Sequence, residues 1–208
     1  MEIVAEQVGK KYRREWIFRR VNLTLTAGTS YTFIGPNGSG KSTLLQLLAG
    51  NLPATEGQLI YSHKDKVIEP DAWFQQVSIA APYLELVEEL TLDELLTFHK
   101  TFKPFKPGLT TEVITERLLL GNARHKEIKY FSSGMKQRVK LGLAFFSQSP
   151  IVILDEPTSN LDRQGMNWYQ DEVRQLAPDQ LLLIGSNQPS EYDFCPNVLD
   201  VIQWKQKS

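Results

Sequence analysis

The chain has 208 residues, 41% hydrophobic and 23% charged, enough for one substantial core or a core with a smaller inserted subdomain. A net charge of −1 leaves no basic field for nucleic acid, and the single cysteine, Cys195, excludes an internal disulfide. No stretch approaches the roughly 18 uninterrupted apolar residues of a membrane span, and the opening MEIVAEQVGKKYRREW lacks the apolar core of a signal peptide.

Strands are expected over residues 3–8 and 21–25, the second with alternating apolar positions. Ala27 and Gly28 then turn the chain into the β-branched and aromatic run Tyr31, Thr32, Phe33 and Ile34. It ends in Gly35, Pro36, Asn37, Gly38, Ser39, Gly40, Lys41, Ser42 and Thr43, a full G-x-x-x-x-G-K-[ST] pattern. Leu44, Leu45, Leu47 and Leu48 follow at helical spacing, closed by Gly50 and Pro53. In this strand, loop, helix order the motif has a mechanism: backbone N–H groups in a glycine-permitted curve, and those of the helix's first turn, face an anion. Lys41 is placed for β- and γ-phosphates and Ser42 for Mg²⁺, which makes a nucleoside triphosphate the expected ligand. Dinucleotide binding is excluded, since GxGxxG is absent.

Further strands are predicted over residues 57–61 and 77–80. From residue 92 to about 146 the pattern is mostly helical, broken by Pro104, Pro107 and Gly108, and reads as an insertion over residues 92–148. Charge is uneven: residues 65–96 hold eight acids and one base, residues 97–140 ten bases and three acids, a polarity expected of one surface. Within the insertion Ser132 can cap a helix beginning near Gly134 that buries Val139, Leu141, Leu143 and Phe146. Ser and Gly at a helix start also form an anion-binding surface, so cap and binding site are both open readings.

Residues 151–154, Ile-Val-Ile-Leu, form a buried strand ending in Asp155. A carboxylate there lies beside the phosphate loop in an open α/β sheet, placed to hold Mg²⁺ through water, and Glu156 can polarise the attacking water. A helix over residues 165–176, a buried strand over 181–184 and an edge or return strand over 198–204 complete an α/β fold with a parallel component. His63, His99 and His125 lack a carboxylate or Cys at metal-site spacing and read as surface residues. Trp16, Trp73, Trp168 and Trp204 are assigned to packing.

With these motifs in order, the chain resembles the ATP-binding subunit of an ABC transporter over essentially all of its length. Residues 35–43 match the Walker A loop, 151–156 the Walker B strand with its catalytic glutamate, and 159–162 the D-loop. Phe131, Ser132, Ser133, Gly134 and Met135 resemble the signature LSGGQ, and Tyr12 stands where the family stacks an aromatic ring on adenine, with Trp16 the runner-up. The resemblance implies a single P-loop NTPase domain of ABC type over residues 1–208, with an antiparallel β subdomain and the inserted helical subdomain. It further implies ATP and Mg²⁺ as ligands, and a head-to-tail dimer, expected to be a homodimer. In it each ATP lies between the Walker motifs of one subunit and Ser132 and Gly134 of the other, with Asp162 coupling the two sites. Transmembrane subunits would hold the protein on the cytoplasmic face of the membrane, a groove between residues 82–90 and the insertion accepting a short partner helix. Glu85, Glu88 and Glu89 are the acids expected to select a basic one.

Two departures stand out. Pro82 occupies the family's Gln position and has neither side-chain amide nor backbone N–H, with Glu85 the candidate helper and Gln75 and Gln76 too early in the chain. Asn187 replaces the switch histidine and can hydrogen-bond a γ-phosphate oxygen without carrying a proton. With Ser133 and Met135 altering the signature, slow or partner-dependent hydrolysis is expected. The competing readings are a nucleotide-binding structural or regulatory subunit with little hydrolysis, and a soluble non-transport ABC ATPase.

Overall fold

Two long runs of alternating side chains open the chain. In the computed structural model, β1 (Glu2–Tyr12) and β2 (Glu15–Thr26) form an antiparallel hairpin in the register Ile3↔Leu25, which turns Ile3, Ala5, Val21 and Leu25 inward. The described residues are 1–64, 66–176 and 178–205; Asp65, counted in the acidic stretch, lies outside them. β3 (Ser30–Ile34) leads through the phosphate loop into α1 (Lys41–Leu48). β4 (Glu56–His63) and the short β5 (Lys66–Val67) return to the hairpin, giving an antiparallel sheet ordered β2-β1-β4-β5. This sheet is pinned to α1, because the buried Tyr61 hydroxyl donates to the Leu48 carbonyl at the helix end and Trp73 stacks on Tyr61 at 4.3 Å.

Trp73 opens α2 (Trp73–Gln76), which runs directly into β6 (Val77–Ala80). Three helices follow, α3 (Leu92–Phe102), α4 (Thr111–Arg117) and α5 (Ser133–Phe146), before the chain re-enters the sheet as β7 (Ile151–Asp155). Each helix starts on a hydroxyl cap: Thr91 in a reciprocal capping box with Glu94, Thr110, and Ser132 as the sequence indicated. After β7 come α6 (Arg163–Val173), β8 (Leu181–Gly185) and β9 (Asn197–Asp200), and the second sheet is wholly parallel, ordered β6-β7-β8-β3-β9. Among the described residues no helix is long and apolar enough to cross a membrane.

The period of two in β7 and β8 divides the core. Ile151, Ile153, Leu181 and Leu183 pack on the side of α1 and the antiparallel sheet, whereas Val152, Leu154, Leu182 and Ile184 pack with Leu96, Val139, Phe145 and Trp168 from the helices. Both faces are covered, which is why these strands read as unbroken apolar runs.

Three expectations need correction. The strand placed over residues 198–204 ends at Asp200, whose side chain accepts from Ile202 N–H at 2.9 Å and turns Val201–Trp204 into a 3₁₀ helix. The helix placed over 165–176 is α6, starting at Arg163 because Asp162 caps it through Gly165 N–H at 2.7 Å. His99 is half-buried and partnered rather than an exposed surface residue. Its ring stacks on Phe105 and its Nε2 lies 2.8 Å from Ser147 Oγ, whose own proton goes to Leu143 O, so His99 is the donor.

Burial, followed by the charge of Lys103, holds His99 down from 6.5 to about 4. A depressed histidine supplies stability that is complete above its unfolded value and is lost as pH falls from 6.5 through 4. Urea unfolding at pH 7 and pH 4.5 should therefore show His99→Gln losing about 2–3 kcal/mol less than the parent on acidification. Equal losses in both proteins would contradict this account of the buried ring.

Candidate functional site

Parallel pairing brings four strand ends to one edge. Ala80 pairs with Leu154, Leu154 with Ile184, and Ile184 with Thr32, so residues just beyond β6, β7, β8 and β3 emerge together. The phosphate loop leaves β3 there. Gly35 has φ +145 and an added Cβ would lie 2.8 Å from Ser39 Oγ; Gly40 has φ +106 and its Cβ would lie 2.6 Å from Ile17 Cγ2. Both positions therefore need glycine for backbone and for space. Gly40 carries no side-chain cap for α1, so the first N–H groups of the helix remain directed at the loop.

Residues 37–43, with Ile17 and Glu156, line a cavity of about 310 Å³, within the usual range for small-ligand sites. Lys41 is 5% exposed and turned into the loop, its Nζ donating to Gly35 O at 2.6 Å and Pro36 O at 3.4 Å. Asp155, at 1% exposure, has Oδ1 with no hydrogen-bond partner among the described residues. Its carboxyl is pushed up to about 6, chiefly by burial, with the Ser42 hydroxyl pulling it down, Glu156 and Glu191 raising it and Lys41 lowering it. A buried oxygen without a donor beside a hydroxyl is the arrangement a hard divalent cation would satisfy. No group of three or more His, Cys, Asp or Glu among the described residues forms a cage, so two protein ligands plus phosphate oxygens are what the site can offer.

Glu156 follows in the left-handed region, φ 44, with its N–H donating to Gly185 O at 2.8 Å. That strained backbone turns its side chain to the cavity rather than into the sheet. Asn187 sits beyond β8, and its Oδ1 accepts the Gly35 N–H at 3.0 Å; its NH₂ makes no hydrogen bond among the described residues.

Ser132 and Gly134 lie elsewhere. With Ser133, Met135, Arg138 and residues 160–162 they line a separate cavity of about 200 Å³. Ser132 Oγ accepts from Met135 N–H at 3.2 Å, confirming the cap. An added Cβ at Gly134 would lie 2.9 Å from Asn160 O, so only glycine lets α5 approach the loop after β7 so closely. Gln137 Nε2 donates to Pro157 O at 2.8 Å across the same junction. Buried Glu191 completes the clamp, its Oε1 accepting Thr158 N–H at 2.9 Å while its carbonyl accepts the Tyr169 hydroxyl at 2.8 Å.

Tyr12 is 46% exposed at the hairpin end and does not line the phosphate cavity; Lys10 Nζ stands 5.2 Å from its ring. Ile17 is the β2 residue that does, and its alternation on that strand was the available signal. Glu85 does not reach the site either. It lines a groove with Leu84, Leu86, Lys140 and Leu143, because the chain has already turned away from the strand end. Next to Pro82, the Tyr83 hydroxyl is raised to about 12, chiefly by burial and then by the charge of Asp155.

The Gly40 contact makes a direct prediction. Gly40→Ala should lower stability by about 1 kcal/mol or more and weaken nucleotide binding, and adding Ile17→Ala should recover part of both, since it relieves the clash but not the φ strain. Thermal unfolding with and without nucleotide reads this, and no recovery in the double variant would remove Ile17 from the argument.

Comparison with known proteins agrees with this geometry. A family model described as ABC transporter matches residues 18–159. An ABC transporter ATP-binding protein of Haemophilus influenzae is 30% identical over 182 residues, covering 86% of this chain and 73% of that protein. ATP-binding cassette sub-family A member 2 of Rattus norvegicus is 27% identical over 206 residues, 96% of this chain but 8% of that much longer protein. Among solved structures, a dimeric ATP-binding cassette in a post-hydrolysis state with ADP and Pi superposes with a TM-score of 0.83 at 19% identity, covering 95% of this chain and 93% of that one, a likeness of fold. The chain belongs to the ABC transporter family, as its ATP-binding ATPase domain.

Proposed function

We propose that this chain powers a membrane transporter by binding and hydrolysing ATP in a head-to-tail dimer, as a homodimer, held through membrane subunits on the cytoplasmic face. It reads as one ABC ATPase domain over residues 1–208, the helical subdomain inserted at about 92–148. The observation that carries the dimer is separation: the phosphate cavity and the Ser132 surface of one chain share no lining residue. Each half has anion-directed helix N–H groups and is complete only against the other half of a second copy.

Within this reading, residues 35–43 wrap the triphosphate, and Lys41 exchanges the Gly35 and Pro36 carbonyls for phosphate oxygens. Ser42 and Asp155 would hold Mg²⁺, which would supply charge neutralisation at the phosphates. Glu156 takes a proton from the attacking water. Asn187, fixed through Oδ1 to the loop, presents its NH₂ as a neutral donor for the γ-phosphate, a role that needs no protonation. The partner copy brings Ser132 and Gly134, and Asp162, as the cap of α6, fixes the loop that lies between the two sites. Tyr12 keeps enough exposed ring to stack on adenine.

The groove of about 260 Å³ beside Leu84, Glu85 and Leu86 is the docking place for a membrane subunit's helix. Lys103 and Lys140 are tied to the carbonyls of Val77 and Pro82, and Glu88 is paired with Lys136, which leaves Glu85 as the acid in the lining. A second reading, a nucleotide-closed subunit with little turnover, is favoured by Pro82, which offers no donor at the strand end.

The test is purification of the protein with its membrane partners and measurement of ATP hydrolysis alone and in complex. A stable complex should form, with activity that falls by at least about 100-fold in Glu156→Gln, in line with the loss of a general base. A complex that forms without hydrolysis in either version establishes the second reading, and a protein that engages no membrane subunit contradicts both.

A further inference from the structure

Glu191 is a buried carboxylate that the proposed chemistry leaves unused. It is 1% exposed, and only one of its oxygens is satisfied. Oε1 accepts both donors of Thr158, the hydroxyl and, at 2.9 Å, the N–H, while Oε2 has no hydrogen-bond partner among the described residues. Burying a carboxylate with one oxygen unpaired costs stability, so packing alone does not account for an acid here.

Thr158 belongs to the turn that leaves β7. Ser159 N–H donates to Glu156 O at 3.1 Å across Pro157 and Thr158, and Glu156 itself lies in the left-handed region at φ 44. A side-chain-bearing residue keeps such a conformation where its surroundings over-determine it. Here Gly185 O holds Glu156 N–H at 2.8 Å on one side, while Gln137 holds the Pro157 carbonyl and Glu191 holds Thr158 on the other. Glu191 is fixed in turn. It ends the 3₁₀ turn Pro189–Glu191, in which the Ser190 carbonyl accepts from Gln170 Nε2 at 3.0 Å and the Glu191 carbonyl from the Tyr169 hydroxyl at 2.8 Å, both on α6. At the other end of the same segment Asn187 holds Gly35 N–H at 3.0 Å. Residues 187–191 thus grip the phosphate loop at one end and the Glu156 turn at the other.

We propose that Glu191 is the positioning residue for Glu156, holding the strained turn that aims its carboxylate into the phosphate cavity. This rests on the reading of Glu156 as the group that takes the water's proton.

The test is steady-state ATP hydrolysis by the complex with its membrane subunits, beside equilibrium ATP binding and amide hydrogen exchange of the same chain. Glu191→Ala should lower kcat about 10- to 100-fold, the cost of a misaimed group, with ATP affinity unchanged. Glu191→Gln keeps an oxygen for Thr158 and should recover most of that loss, which separates the clamp from the charge. In a Glu156→Gln chain, Glu191→Ala should cost nothing further, since it acts through Glu156. Exchange at the amides of residues 156–159 should quicken in Glu191→Ala but not in Glu191→Gln, a reading that needs no turnover. Thr158→Val removes the hydroxyl and keeps the N–H; it should show a smaller loss of the same kind, and it stands in if Glu191→Ala does not fold. Unchanged kcat or exchange, a loss of affinity instead, a Gln variant as slow as the Ala variant, or multiplying losses in the Glu156→Gln chain would overturn the role of Glu191. A parent complex without turnover, or parental turnover in Glu156→Gln alone, would instead overturn the reading of Glu156 beneath it.

Discussion

Everything at the site depends on the in-register parallel pairing of β6, β7, β8 and β3. Parallel strands end together, and their ends carry the residues with chemistry: the turn at Pro82 and Tyr83, Asp155 and Glu156, Asn187, and the phosphate loop from Gly35. A one-residue slip of β7 would turn Val152 and Leu154 onto the face of α1, and would move Asp155 out of reach of Ser42. The apolar division between the two faces is therefore what fixes the position of the carboxylate.

A second constraint links that edge to the surface of Ser132. Gly134 against Asn160, Gln137 on Pro157 and Glu191 on Thr158 bind α5 to the loop after Glu156, with no room for a Cβ at position 134. The loop after Glu156 is therefore mechanically continuous with the Ser132 surface. Asn187 adds a direct strut to Gly35, so the chain beyond β8 and the phosphate loop are joined.

Most of this was legible in the sequence where one residue type is required by geometry. The glycines, Lys41 and Ser42 of the loop, the apolar run into Asp155 and the Ser132 cap are local, and short-range rules identify them. The extent of β1 and β2, the half-buried ring of His99 and the position of β9 were not, because each depends on residues far along the chain: Glu56 and Tyr61 for the hairpin, Ser147 for the histidine, and Tyr31 for the edge strand, whose end is then set locally by the Asp200 cap. Attention to the absent side chain at Pro82 pointed to Glu85 as helper, whereas the turn sends Glu85 to the groove.

The central claim is that one ATP site needs two chains, and complementation tests it most directly. Lys41→Ala removes the phosphate loop's cation and Gly134→Asp places a bulky acid against Asn160, so each variant alone should be inactive. Mixed, they should recover hydrolysis, because a mixed dimer pairs the intact loop of one with the intact Ser132 surface of the other. Full activity of Gly134→Asp by itself, or a mixture as inactive as its parts although mixed dimers form, would contradict a site shared between two copies.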